Sequence, residues 1–153
     1  SGTVGAAIEA ASLGIPALAT SYQILEEEWD TFFDLDFSVV AEFTRYFASR
    51  MLEKNMPPDV DLLNLVVPFN ATLETPWQIT RLSHGRYYNP YVIREGTWED
   101  EGHFTSRIII ANDLPEDSDI YTLIKKNLVS VTPVSIDMTS RVDFNDLDIL
   151  LRN

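Results

Sequence analysis

The sequence contains no cysteine, which excludes disulfide bonds and thiolate metal sites. Basic residues are scarce as well: 11 Lys and Arg stand against 24 Asp and Glu, for a net charge of −13. A surface of that charge repels nucleic-acid polymers and anionic membranes, so neither is an expected partner. Apolar runs are short, and none approaches the roughly 18 residues that cross a bilayer. The first residues also lack the pattern of a signal peptide, and together these features predict a cytoplasmic protein.

What is present is the composition of a folded domain. The 153 residues suit one domain of ordinary size, and 45% hydrophobic with 11% aromatic content is enough for a packed core. We interpret most of the acidic residues as a solvated surface. Any bound anion would still meet an unfavourable field, which a divalent cation would offset locally.

The opening stretch predicts a phosphate-binding loop followed by a helix. Gly2 and Gly5 allow a ligand to approach the backbone closely, and Ser1 and Thr3 add hydroxyl donors. The N-terminus of the following helix would direct unpaired N–H groups and partial positive charge at this loop, which is the arrangement that binds phosphate. We expect Ser1 and Thr3 to bind phosphate rather than attack it, because no base is near them in sequence.

The helix is expected to carry an apolar stripe of Val4, Ile8 and Ala11 and to end at Gly14 in a left-handed cap. Ala17 to Thr20 then predicts a short buried strand. An alternative stays open, in which the glycines serve only helix–strand packing. Because such a helix and strand need earlier strands to pack against, we expect the sequence to be the later part of a longer protein.

The middle of the chain predicts a second helix and a central strand. Residues 38–54 show helical periodicity, with Asp36 or Ser38 as the cap. Residues 60–67 form an apolar run typical of a central parallel strand. Between the first strand and this helix, several apolar side chains are expected to pack on the domain or on a partner subunit: Trp29, Phe32, Phe33, Leu35 and Phe37.

Residues 76–111 change in character and predict an antiparallel, hairpin-rich region. The expected short strands are 77–81, 86–88, 91–93 and 107–110, with Asn89-Pro90 and several glycines as turns. Exposed aromatic residues on these hairpins favour either subunit contacts or a base-stacking surface. Each of the two histidines, His84 and His103, lies beside a glycine in an expected turn, and we expect neither to be catalytic.

The C-terminal part predicts a return to the α/β body. Residues 117–119 cap a helix over 120–127, and a strand over 128–133 ends at Pro133, which predicts an edge or a bend. A last helix covers 143–151. Asp137 and Asp143 are a conceivable carboxylate pair, but turn and capping roles are expected for them.

Three blocks of sequence occur in the order and spacing of one family. They are SGTVGAA at 1–7 with LGIPALA at 13–19, LNLVVP at 63–68, and SD at 118–119 followed by VSVTP at 129–133 and DMT at 137–139. Together they resemble the SurE family, metal-dependent 5′/3′-nucleotidases. The resemblance implies an α/β, Rossmann-like fold in three parts: residues 1–75 as the later part of the body, 76–111 as a hairpin extension, and 112–153 as the return to the body with an oligomerisation segment. It also implies a homodimer or tetramer.

The resemblance further implies a hydrolase, a phosphomonoesterase that acts on nucleoside monophosphates and, in some members, on short polyphosphate. The divalent metal would be Mg²⁺ or Mn²⁺, activating the attacking water. In the family the Ser-Gly-Thr of the first block lines the phosphate site, and this role transfers to Ser1, Gly2 and Thr3. The family's metal ligands are an Asp-Asp pair, a Ser and an Asn that all precede this block, and no Asp-Asp pair occurs in this sequence. We therefore expect no metal ligand here, and the alternative function is an inactive assembly module.

Overall fold

The computed structural model describes residues 2–25, 35–85 and 87–152, and within these ranges four helices and six strands form an α/β fold. In chain order the elements are α1 (Gly2–Ser12), β1 (Ala17–Tyr22), α2 (Ser38–Glu53), β2 (Leu62–Val67), β3 (Trp77–Ile79), β4 (Tyr88–Arg94), β5 (Gly102–Ile108), α3 (Asp119–Ile124), β6 (Val129–Val134) and α4 (Phe144–Arg152). No helix within those ranges is long and apolar enough to cross a membrane.

The main sheet has four strands in the order β1-β2-β6-β3. The strand predicted over 60–67 is confirmed as the interior strand β2, buried at five of its six positions. It is parallel only to β1, since its other neighbour, β6, runs antiparallel, with Leu65 opposite Val131. The expectation of a central parallel strand is therefore confirmed on the side of β1 but not on the side of β6, because β6 returns to the sheet in the opposite direction. β3 lies parallel to β6 at the far edge.

One face of the sheet packs against α2 and forms the larger core. The predicted periodicity is confirmed: the buried side chains of this helix are Val40, Phe43, Phe47 and Met51. They pack on Leu63, Leu65, Val67, Val129 and Val131 of β2 and β6. The start of α2 is fixed by Asp36, whose carboxylate accepts the N–H of Ser38 at 2.8 Å. That backbone hydrogen bond lowers the pKa of Asp36 below its ordinary value.

The opposite face packs against α1 through small side chains. Ala7 and Ala11 are buried against Ala17, Ala19 and Leu62 of the first two strands. The predicted stripe was wrong at Ile8, which is 41% exposed. The buried face is centred on the two alanines, one turn apart, which leaves Ile8 at its margin.

The antiparallel hairpin predicted in the middle of the chain is confirmed as β4 and β5, paired from Tyr88 with Ile108 to Arg94 with Gly102. Pro90 lies within β4 opposite Ser106, so the expected turn at Asn89-Pro90 was wrong. A two-stranded hairpin leaves one side of each strand unpaired, where the missing N–H of proline costs little. His103 likewise lies in β5 rather than in a turn. The strand predicted over 77–81 is the short β3 of the main sheet.

The C-terminal elements follow the sequence closely. Ser118 caps α3 by accepting the N–H of Tyr121 at 3.2 Å, as predicted. Pro133 lies in β6 beyond the last residue that pairs with β3, so it stands where β6 becomes an edge. Asp143 accepts the N–H of Asn145 at 2.7 Å at the start of α4, and α4 buries none of its side chains.

Part of the connection before α2 lies outside the described residues, including Trp29, Phe32 and Phe33, whose packing therefore stays a prediction. Phe37 is described, and its ring meets that of Tyr22 edge-to-face with centroids 5.8 Å apart. This contact agrees with packing on the domain.

Replacing Gly5 in α1 and Gly14 just after this helix by alanine should change the free energy of unfolding in opposite directions. Gly14 ends α1 at φ +74°, so Gly14→Ala should cost about 1 kcal/mol of unfolding free energy because a Cβ is strained in that conformation. Gly5 lies inside α1 with open space at its Cβ position, so Gly5→Ala should stabilise by roughly 0.5–1 kcal/mol. Urea denaturation followed by circular dichroism measures both, and shifts of the same sign would contradict this assignment.

Candidate phosphate-binding site

The predicted phosphate site lies at the beginning of α1. The helix already includes Gly2, Thr3 and Gly5, so the expectation of a loop at these positions was wrong. Small residues followed by alanines are compatible with a helix, and neither glycine has the positive φ that a tight loop requires. Ser1 lies outside the described residues. The candidate donors at this point are therefore the N–H groups of the first helical turn and the Thr3 hydroxyl.

The first turn of α1 is exposed among the described residues. Gly2 and Thr3 are both exposed. A Cβ added to Gly2 would meet no atom within 4 Å among the described residues. The first N–H groups of a helix have no partner within the helix and carry its partial positive charge. An anion can therefore approach them without displacing a described side chain.

The charge distribution also distinguishes α1 from α2. The first turn of α1 contains no acidic residue, whereas the carboxylate of Asp36 already occupies the N-terminus of α2. A phosphate at α2 would have to replace this carboxylate. Of the two helices that pack on the central strands, α1 is the better anion site.

The direction of α1 places its N-terminus at a particular edge of the sheet. A short turn at 13–16 joins α1 to β1, closed by hydrogen bonds from Gly14 to Ala11 and from Ile15 to Ala10. The helix therefore runs back along β1, and its N-terminus points towards the edge where β1 and β2 end. In α/β sheets this carboxyl edge is the usual position of a ligand.

The same edge contains a hydrogen-bonded group of side chains that sequence reasoning missed. The N–H of Gln23 donates to the carbonyl of Val67 at 2.9 Å, which joins the ends of β1 and β2. The Gln23 side chain accepts the N–H of Phe69 at 3.3 Å and donates to the Tyr87 hydroxyl at 3.4 Å. The Tyr22 hydroxyl donates to the carbonyl of Phe69 at 2.6 Å.

The described residues do not provide a site for the divalent metal that the family resemblance implies. No group of three or more His, Asp or Glu among them is arranged to hold a metal ion. Asp137 accepts the N–H of Thr139 at 2.9 Å in a turn, and Asp143 caps α4, so the expected structural roles of both are confirmed. His84 lies in the connection between β3 and β4, whereas His103 lies in β5.

A cleft of about 1010 Å³ lies at the opposite edge of the sheet, where β3 and β6 end. Its two arginines are already paired, Arg81 with Asp117 at 2.9 Å and Arg141 with Asp59 at 3.1 Å. Sequence reasoning did not find this cleft, because Arg81 and Asp117 are 36 residues apart and meet only through the fold. It is separate from the first turn of α1, and its guanidinium groups are engaged.

Comparison with known proteins decides the family. Residues 1–89, more than half of the chain, match the family described as Survival protein SurE. The chain belongs to the SurE family. The matched range includes α1, β1, α2, β2 and β3, and therefore both the candidate phosphate site and the carboxyl edge.

Curated SurE relatives agree over nearly the whole chain. The chain is 42% identical to the 5′-nucleotidase SurE of Thermococcus gammatolerans, over 96% of this chain and 55% of the relative. It is 35% identical to the 5′-nucleotidase SurE of Methanosarcina mazei, over 97% of this chain and 57% of the relative. The chain thus spans little more than half the length of these relatives.

A solved structure supports the fold. The crystal structure of the SurE protein from Aquifex aeolicus superposes with a TM-score of 0.69 at 25% sequence identity. The superposition covers 99% of this chain and 58% of that structure. The predicted α/β SurE fold with an antiparallel hairpin is confirmed.

Proposed function

We propose that this chain supplies the phosphate-binding part of a SurE-type 5′-nucleotidase, a phosphomonoesterase that hydrolyses nucleoside monophosphates. The observation that supports this most directly is the exposed N-terminus of α1, which holds Gly2 and Thr3 within the range that matches the family. In this proposal Ser1, Gly2 and Thr3 hold the phosphate of the substrate. The names of the relatives, 5′-nucleotidase SurE, support the reaction and the substrate class.

The chemistry available at this site is binding and orientation. Backbone N–H groups of the first helical turn would donate to phosphoryl oxygens, and the Thr3 hydroxyl would add another donor. Hydrogen bonds of this kind stabilise the charge on the transferred group. Thr3 acts as a donor in this scheme rather than as a nucleophile.

The proposal includes a divalent metal, Mg²⁺ or Mn²⁺, as a requirement of the reaction. The described residues offer no fitting ligand set for this metal. The net charge of −13 is consistent with a need for a cation, since the field of the chain opposes a bound phosphate. We also propose short polyphosphate as a second substrate, because it would present the same phosphoryl group to the N-terminus of α1.

A second candidate function is assembly. α4 buries no side chain, and its apolar residues Phe144, Leu150 and Leu151 are 64%, 72% and 76% exposed. Several exposed apolar side chains on one short helix favour contact with another subunit. We propose a dimer or tetramer built by the β4–β5 hairpin and the C-terminal segment, which is compatible with the nucleotidase site on α1.

A phosphatase assay tests the proposed function. The natural gene product should release phosphate from AMP, GMP and p-nitrophenyl phosphate in the presence of Mg²⁺ or Mn²⁺, and inorganic phosphate should inhibit competitively. Light scattering on the same preparation measures assembly. An assembled protein that releases no phosphate from any of these substrates with either metal would contradict the nucleotidase proposal and leave the assembly function.

A further inference from the structure

Aromatic side chains gather at the carboxyl edge where α1 points. Phe69 follows the end of β2 and is 40% exposed, and Tyr87 stands half-buried at the base of the β4–β5 hairpin. They follow Gln23 by 46 and 64 residues, and the fold places both beside the end of β1. An aromatic ring near a phosphate site is the complement of a nucleobase, because every base presents a π-face.

Gln23 holds the two aromatic residues in place. Its amide oxygen accepts the N–H of Phe69, and its amide nitrogen donates to the hydroxyl of Tyr87. Its own N–H is bonded to the end of β2, so the side chain starts from a fixed point of the sheet. The Gln23 amide therefore links the Tyr87 hydroxyl to the sheet edge, in addition to the backbone hydrogen bond that Tyr87 accepts from Ile109 and the contact of its ring with Tyr88.

We propose that Gln23, Phe69 and Tyr87, the edge cluster, bind the nucleoside half of the substrate, with Tyr87 as the stacking residue and Gln23 as a positioning residue that acts through it. The inference rests on the proposed nucleotidase function and extends it from the phosphate to the base. The α1 N-terminus would hold the charged end, while the uncharged edge cluster contacts the neutral heteroaromatic end. Because stacking is tolerant of base identity, both AMP and GMP should be bound.

The Tyr87 ring meets the Tyr88 ring edge-to-face with centroids 4.7 Å apart, whereas two other aromatic rings of the hairpin lie under guanidinium groups. The Tyr91 ring lies under the guanidinium of Arg107, 5.6 Å from its carbon, and the Trp98 ring lies under that of Arg94 at 5.1 Å. Tyr91 lies three residues after Tyr88, the first residue of β4, and is therefore farther along the hairpin from the sheet edge. It is of the same residue type, 41% exposed and on the same hairpin, which makes it the matched control.

The test compares Tyr87→Ala, Tyr87→Phe and the control Tyr91→Ala in the natural gene product. Three measurements are made on each variant: the kcat and KM for AMP, the kcat and KM for ribose 5-phosphate, which has no base, and the Kd of adenosine by calorimetry. Tyr87→Ala should raise the KM of AMP and the Kd of adenosine by roughly 5- to 100-fold, the effect of losing one stacked base. The KM of ribose 5-phosphate should change by less than about twofold. Tyr91→Ala should leave all three measurements unchanged, once light scattering shows that this variant assembles as the unsubstituted protein does.

Tyr87→Phe keeps the ring and removes the hydrogen bond to Gln23, so the Kd of adenosine should rise by roughly 2- to 10-fold. This variant keeps the proposal testable if the alanine variant does not fold. Equal changes for AMP and ribose 5-phosphate, or no change in adenosine binding in either Tyr87 variant, would overturn the inference. Failure of the nucleotidase proposal has a different signature, namely loss of phosphate release from every substrate while adenosine still binds.

Discussion

Leu65→Ala should lower the free energy of unfolding by about 2.7–5 kcal/mol, the range for a fully buried leucine. Leu65 is 0% exposed and lies in the interior strand β2, between Thr20 of β1 and Val131 of β6. Its side chain belongs to the core that α2 covers. With strands on both sides and a helix above, the surroundings have little freedom to fill the cavity, so we expect a value in the upper part of this range.

Leu52→Ala is the matched control for this prediction. Leu52 is on α2, close to the same core in sequence, but it is 81% exposed. Its replacement should change the free energy of unfolding by no more than about 0.5 kcal/mol. Urea denaturation followed by tryptophan fluorescence measures both variants. Equal destabilisation of the two would mean that β2 is not the centre of the core.

The elements that could be predicted from the sequence are those whose pattern is local. The helix α2 repeats its apolar residues every three to four positions, and the interior strand β2 is a continuous apolar run bounded by Pro68. The left-handed end of α1 is specified by Gly14, and the start of α3 by the cap Ser118. In each case a few neighbouring residues determine the conformation.

The errors in the strands come from pairings between distant residues. β3 has only three residues, and nothing in its sequence shows that Trp77 pairs with Val129 rather than with the hairpin that follows. Pro90 marks a turn in most contexts, yet it fits β4 because only one side of that strand is bonded. The direction of β6 also depends on the path of the chain after the hairpin, which local patterns do not encode.

The candidate site likewise has one part that local sequence predicts and one part that depends on contacts between distant residues. Its α1 part was predictable, since small residues before an alanine-rich helix are a local signal, although the helix begins earlier than expected. The edge cluster was not, because Gln23 lies 46 residues from Phe69 and 64 from Tyr87. A lone glutamine after a strand has no sequence signature. Only the fold shows that both the oxygen and the nitrogen of its side-chain amide form hydrogen bonds.

Thr3→Asp should weaken phosphate binding by roughly 100- to 1,000-fold while leaving the fold as stable or slightly more stable. Two unit charges 4 Å apart repel by about 4 kcal/mol at an effective dielectric constant of 20, and exposure of Thr3 reduces that figure. The same carboxylate lies in the first turn of α1, where the helix N-terminus favours a negative charge by about 0.3–1 kcal/mol. The inhibition constant of inorganic phosphate and urea denaturation measure the two effects.

Weaker phosphate binding without a loss of stability in Thr3→Asp would distinguish a ligand site from a purely structural helix start. If the first turn of α1 serves only packing, Thr3→Asp gains the favourable helix interaction and loses nothing in phosphate binding. Thr3→Asn tests size without charge and, because an amide still donates, should weaken phosphate binding by less than about tenfold. Thr139→Asp adds the same charge at an exposed turn after β6, beyond the opposite edge of the sheet, and should leave phosphate binding nearly unchanged. Equal losses in Thr3→Asp and Thr139→Asp would attribute the effect to net charge, and the assignment of phosphate to α1 would fail.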